Sequence, residues 1–278
     1  MAKILDGKLV ATQTKQWLKE FVELNKVDAA LTIFQMGDNP ASNIYIRNKQ
    51  NACAEVGIKS EVIKCNTVEE LKESVQWCNN PAMIQLPLPI ACDEQAITDF
   101  VDANLDADCL TTKNLGKLFV GDCEIAPCTA QGIIDLLDYY DIPIEGKHAV
   151  VVGRSNIVGK PVAHLLLNRN ATVTVCHSRT KNLEKYTKDA DILVVAIGKP
   201  KFITGDMVKE GSVVIDVGIN RNENGKICGD VDFESVEPKA EWITPVPGGV
   251  GAMTVAELVR NAVKLCYYGG TENHEENI

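Results

Sequence analysis

Residues 148–161 read HAVVVGRSNIVGKP. His148–Val152 is a short, β-branched apolar run that stops at Gly153, and NIVGKPVAHLLLN (156–168) carries the apolar spacing of a helix. Strand, glycine turn and helix form the unit from which parallel α/β sheets are built. The glycine spacing is Gly153-x5-Gly159, not G-x-G-x-x-G. Taken alone, such a loop is an ordinary strand–helix turn as readily as a nucleotide loop. Its placement favours the nucleotide reading, because the helix N-terminus faces the carboxyl end of the strand, where a pyrophosphate sits.

The same pattern continues downstream. ATVTVCHS (171–178), DILVVAIG (191–198) and SVVIDVGIN (212–220) read as further buried strands of a parallel sheet. The first of these runs into His177-Ser178-Arg179. An NAD-selective site places an acid at that strand end to hold the ribose hydroxyl. Here a hydroxyl and a cation stand instead, and Arg154 lies in the glycine loop. These groups suit a 2′-phosphate, which predicts NADP; solvated surface charge is the alternative reading of both arginines.

Upstream there is a second α/β half. AALTIFQM (29–36) reads as a strand closed by the turn GDNP. A helix capped by Asn39 follows, with Pro40 in its first turn and Gly57 just past its end. SEVIKC (60–65) is a strand, Thr67-x-x-Glu70 a capping box, AMIQL (82–86) a short buried strand, and DEQAITDFVDAN (93–104) a helix. TAQGIIDLLDYYD (129–141) reads as a linking helix and AELVRNAVKLCYY (256–268) as a terminal amphipathic one. The fold class is therefore α/β, with two α/β domains, the second of Rossmann type.

Bulk properties exclude several classes. A chain of 278 residues is long enough for two ordinary domains. The net charge of −10 argues against non-specific nucleic-acid binding. Ten cysteines without a C-x-x-C, and four scattered histidines, give zinc no ligand cluster, so no metal is expected. The opening MAKILDGKLVA lacks the apolar core of a signal peptide, and no run reaches membrane-spanning length. These features predict reduced thiols in a soluble cytoplasmic protein, with an acidic, disordered tail over 269–278.

YIRNK (45–49) places Tyr45 and Lys49 four apart, on one side of a helix. Such a pair serves as the acid–base dyad of short-chain dehydrogenases, but there it follows the glycine loop, whereas here it precedes it. A wheel drawn at roughly 100° per residue puts Tyr45 with Ala52 and Val56, and Lys49 inside the same apolar sector. Two readings of the lysine stand: its stem snorkels outward, or the amine is partly desolvated, with a lowered pKa suited to proton chemistry. Gln85, at the end of a strand, and Asp108, in DADCL, fall on the sheet edge that binds ligands in such folds. A lone glutamine at a strand end is more often a simple loop tie, and Asp108 reads equally as a turn or capping residue.

Together DNPASNIYIRNK, IQLPLP, the Asp-x-Asp of DADCL, PCT, VVVGRSNIVGKP, ATVTVCHSRT, DVGIN and TPVPGGVGAMT resemble the bifunctional methylenetetrahydrofolate dehydrogenase/methenyltetrahydrofolate cyclohydrolases over nearly the whole chain. The resemblance implies a folate-binding catalytic domain over 1–125 completed by the helix 253–268, a Rossmann domain over 126–252, a cleft between them, and a homodimer. It implies NADP-dependent oxidation of 5,10-methylenetetrahydrofolate, then hydrolysis of the methenyl product to 10-formyltetrahydrofolate, which feeds purine synthesis and initiator-tRNA formylation. By position, Tyr45 matches the tyrosine against the folate, Lys49 the catalytic lysine, Gln85 the glutamine that assists it, and Asp108 the acid that grips the pterin. Gly153, Arg154, Ser155, Ser178 and Ile219 match cofactor contacts, to which the reasoning above adds Arg179. Pro247, Gly248 and Gly249 match the loop on the folate side. The chain departs from the family pattern at Leu105, where a lysine is usual, at Cys109, where glycine is usual, and at Ala130 and Ala252, where prolines are common. Competing readings are a monofunctional dehydrogenase, a shikimate- or amino-acid-type Rossmann dehydrogenase, and a non-enzymatic nucleotide sensor.

Overall fold

The computed structural model describes residues 1–89 and 92–269. Its strands are β1 (Lys3–Ile4), β2 (Ala30–Met36), β3 (Lys59–Cys65), β4 (Ala82–Ile84), β5 (His148–Val152), β6 (Thr172–Cys176), β7 (Ile192–Val195), β8 (Val213–Asp216), β9 (Asn220–Arg221), β10 (Ile227–Cys228) and β11 (Trp242–Ile243). The α-helices are α1 (Gly7–Asn25), α2 (Pro40–Val56), α3 (Val68–Gln76), α4 (Glu94–Thr98), α5 (Thr112–Val120), α6 (Cys128–Tyr139), α7 (Gly159–Asn168), α8 (Leu183–Thr187), α9 (Phe233–Val236) and α10 (Val250–Gly269). The chain divides into two compact units, Met1–Ala11 with Thr129–Thr254, and Thr12–Cys128 with the chain from Val255 onward.

The first unit is built on a six-stranded sheet of order β1-β11-β8-β7-β5-β6, parallel throughout. β7 and β8 are buried along their whole length, as expected of apolar runs covered on both faces. β5 has β6 on one side and β7 on the other, so the chain reverses its direction of winding there. The turn after β5 therefore opens at a topological switch point. The second unit carries a three-stranded parallel sheet of order β3-β2-β4. Its core joins Leu18 and Val22 of α1, Ile46, Cys53 and Val56 of α2, and Leu258, Val259 and Ala262 of α10, all nearly inaccessible to solvent. Half of the capping box acts as read: the Thr67 hydroxyl accepts from the Glu70 amide, but the Glu70 carboxylate accepts from the Asn66 amide, one residue before the cap.

Four features differ from the sequence reading. The first eleven residues group with the six-stranded sheet, where the sequence reading set them with the rest of 1–125, because Lys3 and Ile4 pair in parallel with Trp242 and Ile243. The helix expected over 93–104 stops at Thr98; Asp99 turns the chain by accepting from both the Thr112 amide and its hydroxyl. The packed face of α2 runs through Ser42, Ile46, Lys49, Cys53 and Val56 at alternating steps of four and three, so Tyr45 sits at its border, 39% exposed, rather than inside it. Helices α1, α5, α8 and α9 have no counterpart in the sequence reading. The tail from 270 lies outside the described residues.

Candidate active site

Lys49 stands at the centre of the buried face of α2, with 8% of its surface accessible. Its ammonium donates to Gln85 Oε1 at 3.0 Å and approaches Met83 Sδ at 3.1 Å. β4 ends at Ile84, and the Gln85 amide still donates to Phe34 of β2, so the glutamine is anchored at the carboxyl edge of the sheet. Its own side-chain amide donates to the Leu86 carbonyl at 2.6 Å, which directs Oε1 toward the lysine. Burial pushes the Lys49 pKa below its ordinary 10.5, and the charge of Asp108 opposes that shift. The desolvated reading of this lysine thus prevails over snorkelling.

Asp108 reaches the neighbourhood through a backbone splice. Residues 105–107 lie along β4: the Ala82 amide donates to the Leu105 carbonyl and the Ala107 amide to the Ala82 carbonyl. The two acids of DADCL then take different surroundings. Asp106 is buried, accepting from the Thr111 amide and the Asn114 side chain, and burial raises its pKa. Asp108 is half-buried, and the buried Cys128 thiol donates to the carbonyl of its neighbour Ala107 at 3.5 Å. Asn261, on α10, donates to the carbonyls of Ala107 at 3.0 Å and Ala126 at 3.1 Å, fixing the segments that carry Asp108 and Cys128. Cys109 holds a left-handed backbone, φ 57°, which explains why a glycine suits this position. Its side chain is fully buried, donating to the Ile125 carbonyl at 3.3 Å.

Sequence reasoning missed Met83, Cys128 and Asn261. PCT marked Cys128 as part of a motif but gave no partner, and nothing in α10 distinguishes Asn261 from any polar residue on an amphipathic helix.

In the other unit, Gly153 closes β5 with φ 129°. A Cβ there would overlap the Ala196 carbonyl, and one at Gly159 would overlap Gly153, so only glycines let the loop fold back this tightly. The Ser155 hydroxyl accepts from the amides of Val158 and Gly159, setting the start of α7. Arg154, Ser155, Ser178 and Arg179 are exposed, and neither arginine forms an ion pair among the described residues. A tight glycine cradle opening onto a helix start, with two uncommitted guanidinium groups, fits a phosphorylated dinucleotide. Ile219 follows β8 and is 48% exposed. Pro247, Gly248 and Gly249 belong to the turn between β11 and α10, where Val246–Pro247 is cis and the Gly248 carbonyl accepts from the Lys8 amide. Among the described residues no cluster of three or more His, Cys, Asp or Glu could hold a metal ion, and no helix is long and apolar enough to cross a membrane.

The sequence model of the tetrahydrofolate dehydrogenase/cyclohydrolase catalytic domain matches residues 5–108, and that of the family's NAD(P)-binding domain matches 127–268. The chain belongs to this family. Among its relatives, the bifunctional protein FolD of Agathobacter rectalis is 51% identical over 275 residues, covering 95% of this chain and 99% of that one. The crystal structure of the bifunctional FolD methylenetetrahydrofolate dehydrogenase/cyclohydrolase from Campylobacter jejuni superposes with a TM-score of 0.93 at 44% identity, covering 97% of this chain and all of that one. The Trypanosoma brucei FolD, solved with NADP cofactor and inhibitor, gives a TM-score of 0.92 at 34% identity, covering 97% and 98%.

Proposed function

We propose that this chain oxidises 5,10-methylenetetrahydrofolate with NADP and hydrolyses the resulting 5,10-methenyltetrahydrofolate to 10-formyltetrahydrofolate. The observation that carries the reading is the buried Lys49 amine, hydrogen-bonded by Gln85 and lying within the field of Asp108. The two reactions make different demands. The carbon to be oxidised lies between two nitrogens, which stabilise the cation left when hydride departs. No hydroxyl proton has to be removed, so this step requires positioning rather than a general base. Gly153, Arg154, Ser155, Ser178, Arg179 and Ile219 would hold NADP, with the cations and hydroxyl of Arg154, Arg179 and Ser178 suited to its 2′-phosphate, and the cofactor would supply the hydride acceptor.

Hydrolysis requires a proton to be managed. Water adds to the methenyl carbon and a ring nitrogen then leaves. Lys49, with its ammonium disfavoured by burial, takes the proton from the attacking water and returns it to the departing nitrogen. Gln85 orients the amine by accepting its hydrogen bond. Asp108 pairs with the donor edge of the pterin through charge-assisted contacts. Tyr45, exposed one turn before Lys49, lies against the folate ring system, and Pro247, Gly248 and Gly249 make further folate contacts. The chain acts in the cytoplasm as a homodimer, supplying formyl groups for purine synthesis and initiator-tRNA formylation.

The test mixes the protein with methylenetetrahydrofolate and NADP or NAD. Methenyl absorbance should rise with NADP and then decay to the formyl product. Rise without enzyme-dependent decay would make the protein a monofunctional dehydrogenase, and no rise at all would reject the reading.

A further inference from the structure

A second buried polar network lies in the Rossmann unit, outside every residue assigned above. Asp230 is wholly inaccessible to solvent. Its Oδ2 accepts from the amides of Ile197, at 2.7 Å, and Gly198, at 3.0 Å; its Oδ1 accepts from the Lys199 amide at 2.7 Å and the Asn220 side chain at 2.8 Å. Asp216, the last residue of β8, accepts from the amides of Gly218, Asp230 and Val231, each at 2.9 Å. Two glycines make room for the two carboxylates: a Cβ at Gly218 would overlap the Asp230 carboxyl, and a Cβ at Gly229 the Asp216 carboxyl.

The captured segments share a location. Residues 197–199 leave the carboxyl end of β7, and residues 217–220 leave that of β8. This is the edge at which α/β sheets bind dinucleotides. Ile219 sits between a residue whose amide is held by Asp216 and one whose side chain is held by Asp230. A carboxylate suits this task because both oxygens only accept. An asparagine would turn an NH2 group toward backbone N–H donors, leaving them unsatisfied in a buried, weakly screened place.

We infer that Asp230 is a positioning residue for the dinucleotide: by tying the β7 and β8 exit loops together it sets Ile219 and residues 197–199 in their binding geometry. The inference rests on reading Ile219 as a cofactor contact. It also means that the two activities separate, because the hydrolytic step uses no dinucleotide.

The experiment measures NADP binding to the full chain by isothermal titration, together with hydrolysis of preformed methenyltetrahydrofolate and the thermal unfolding midpoint. Asp230→Asn should weaken NADP binding tenfold or more while hydrolysis stays within twofold. Asn220→Ala removes one of the four donors and should weaken NADP about threefold without affecting hydrolysis; it decides the matter if Asp230→Asn fails to fold. NADP affinity within twofold of the parent in a folded variant overturns the inference, as does a parallel loss of hydrolysis in Asn220→Ala, which would mark a general structural role. Because binding is read directly, a parent chain that binds NADP without turning over folate would reject the proposed function and leave the positioning role of Asp230 testable on its own.

Discussion

Replacing Lys49 with methionine isolates the hydrolytic step. Methionine keeps the length of the side chain and removes the amine, so both the 3.0 Å bond to Gln85 and the contact with Met83 are lost. A positioned acid–base group contributes about 10²–10⁴-fold to such a step, so the hydrolytic kcat should fall by at least about 10²-fold. The stability terms oppose one another. Burial lowers the pKa of Lys49, so the folded chain holds this proton less tightly than the unfolded chain does. Stability therefore rises with pH through the folded pKa and is highest above the unfolded value; below the folded pKa the buried charge is a full penalty. Lys49→Met removes that penalty at every pH. Against it, Gln85 Oε1 loses its partner, which costs about 1–3 kcal/mol. The two terms have opposite signs, so the unfolding midpoint should move less than either alone would move it; about 1 kcal/mol corresponds to about 2–4 °C in a chain of this size. The assay follows loss of methenyl absorbance from preformed substrate without cofactor, above the uncatalysed rate, with NADP reduction measured in parallel. In the parent, hydrolysis should rise with pH and level off below the ordinary lysine range, and in the variant this dependence should disappear. A folded Lys49→Met protein that hydrolyses within threefold of the parent would remove the lysine from its role.

Asp108→Ala should raise the folate KM by about 10–100-fold in both reactions, the value of one or two charge-assisted contacts; an unchanged folate KM contradicts the pterin assignment. Arg154→Ala should raise the NADP KM by about tenfold and leave the NAD KM within twofold, since only the former carries the phosphate it would meet; equal effects on both remove the basis for cofactor preference. Cys109→Gly trades a buried thiol for relief of the left-handed backbone, terms of about 1 kcal/mol each, so the unfolding midpoint should shift by no more than about 4 °C. Its folate KM should be unchanged, because the thiol points to the Ile125 carbonyl; a severalfold drop in KM would show that Cys109 crowds the pterin.

Local features proved legible where local physics decides them. The β-branched runs of β5, β7 and β8, the Thr67 cap and the start of α2 all depend on neighbours within a few residues. What depended on remote partners did not show in the pattern. Lys3 and Ile4 form no recognisable strand until Trp242 and Ile243 lie beside them. The helix after Asp93 ends early because Asp99 is claimed by Thr112, thirteen positions on. At the site, the helical period located Lys49 but set Tyr45 on the wrong side of the boundary, since a wheel cannot say where the neighbouring layer stops. For Asp108 the sequence left a turn residue and a ligand contact equally open; in the structure Asp106 is buried among Thr111 and Asn114, and Asp108 is the acid of the pair that stays half-exposed.

The residues proposed for the two reactions are held by different parts of the chain, and on those proposed roles this decides how the activities can be separated. Lys49 depends on α2 and on the end of β4, so damage there reaches hydrolysis first. Asp108 depends on the splice along β4 and on Asn261 reaching in from α10. Because both reactions use the same folate, a loosened Asp108 must impair both, and Asn261→Ala should resemble a weak Asp108→Ala rather than a weak Lys49→Met. Asp230 depends on neither, and its loss should fall on dehydrogenation alone. The three classes of effect follow from which carbonyls, carboxylates and amides each residue ties together, not from distance to any one atom. A variant of Asn261 that slowed hydrolysis while sparing the folate KM would break this scheme, since it would mean that α10 acts on the lysine rather than on the acid.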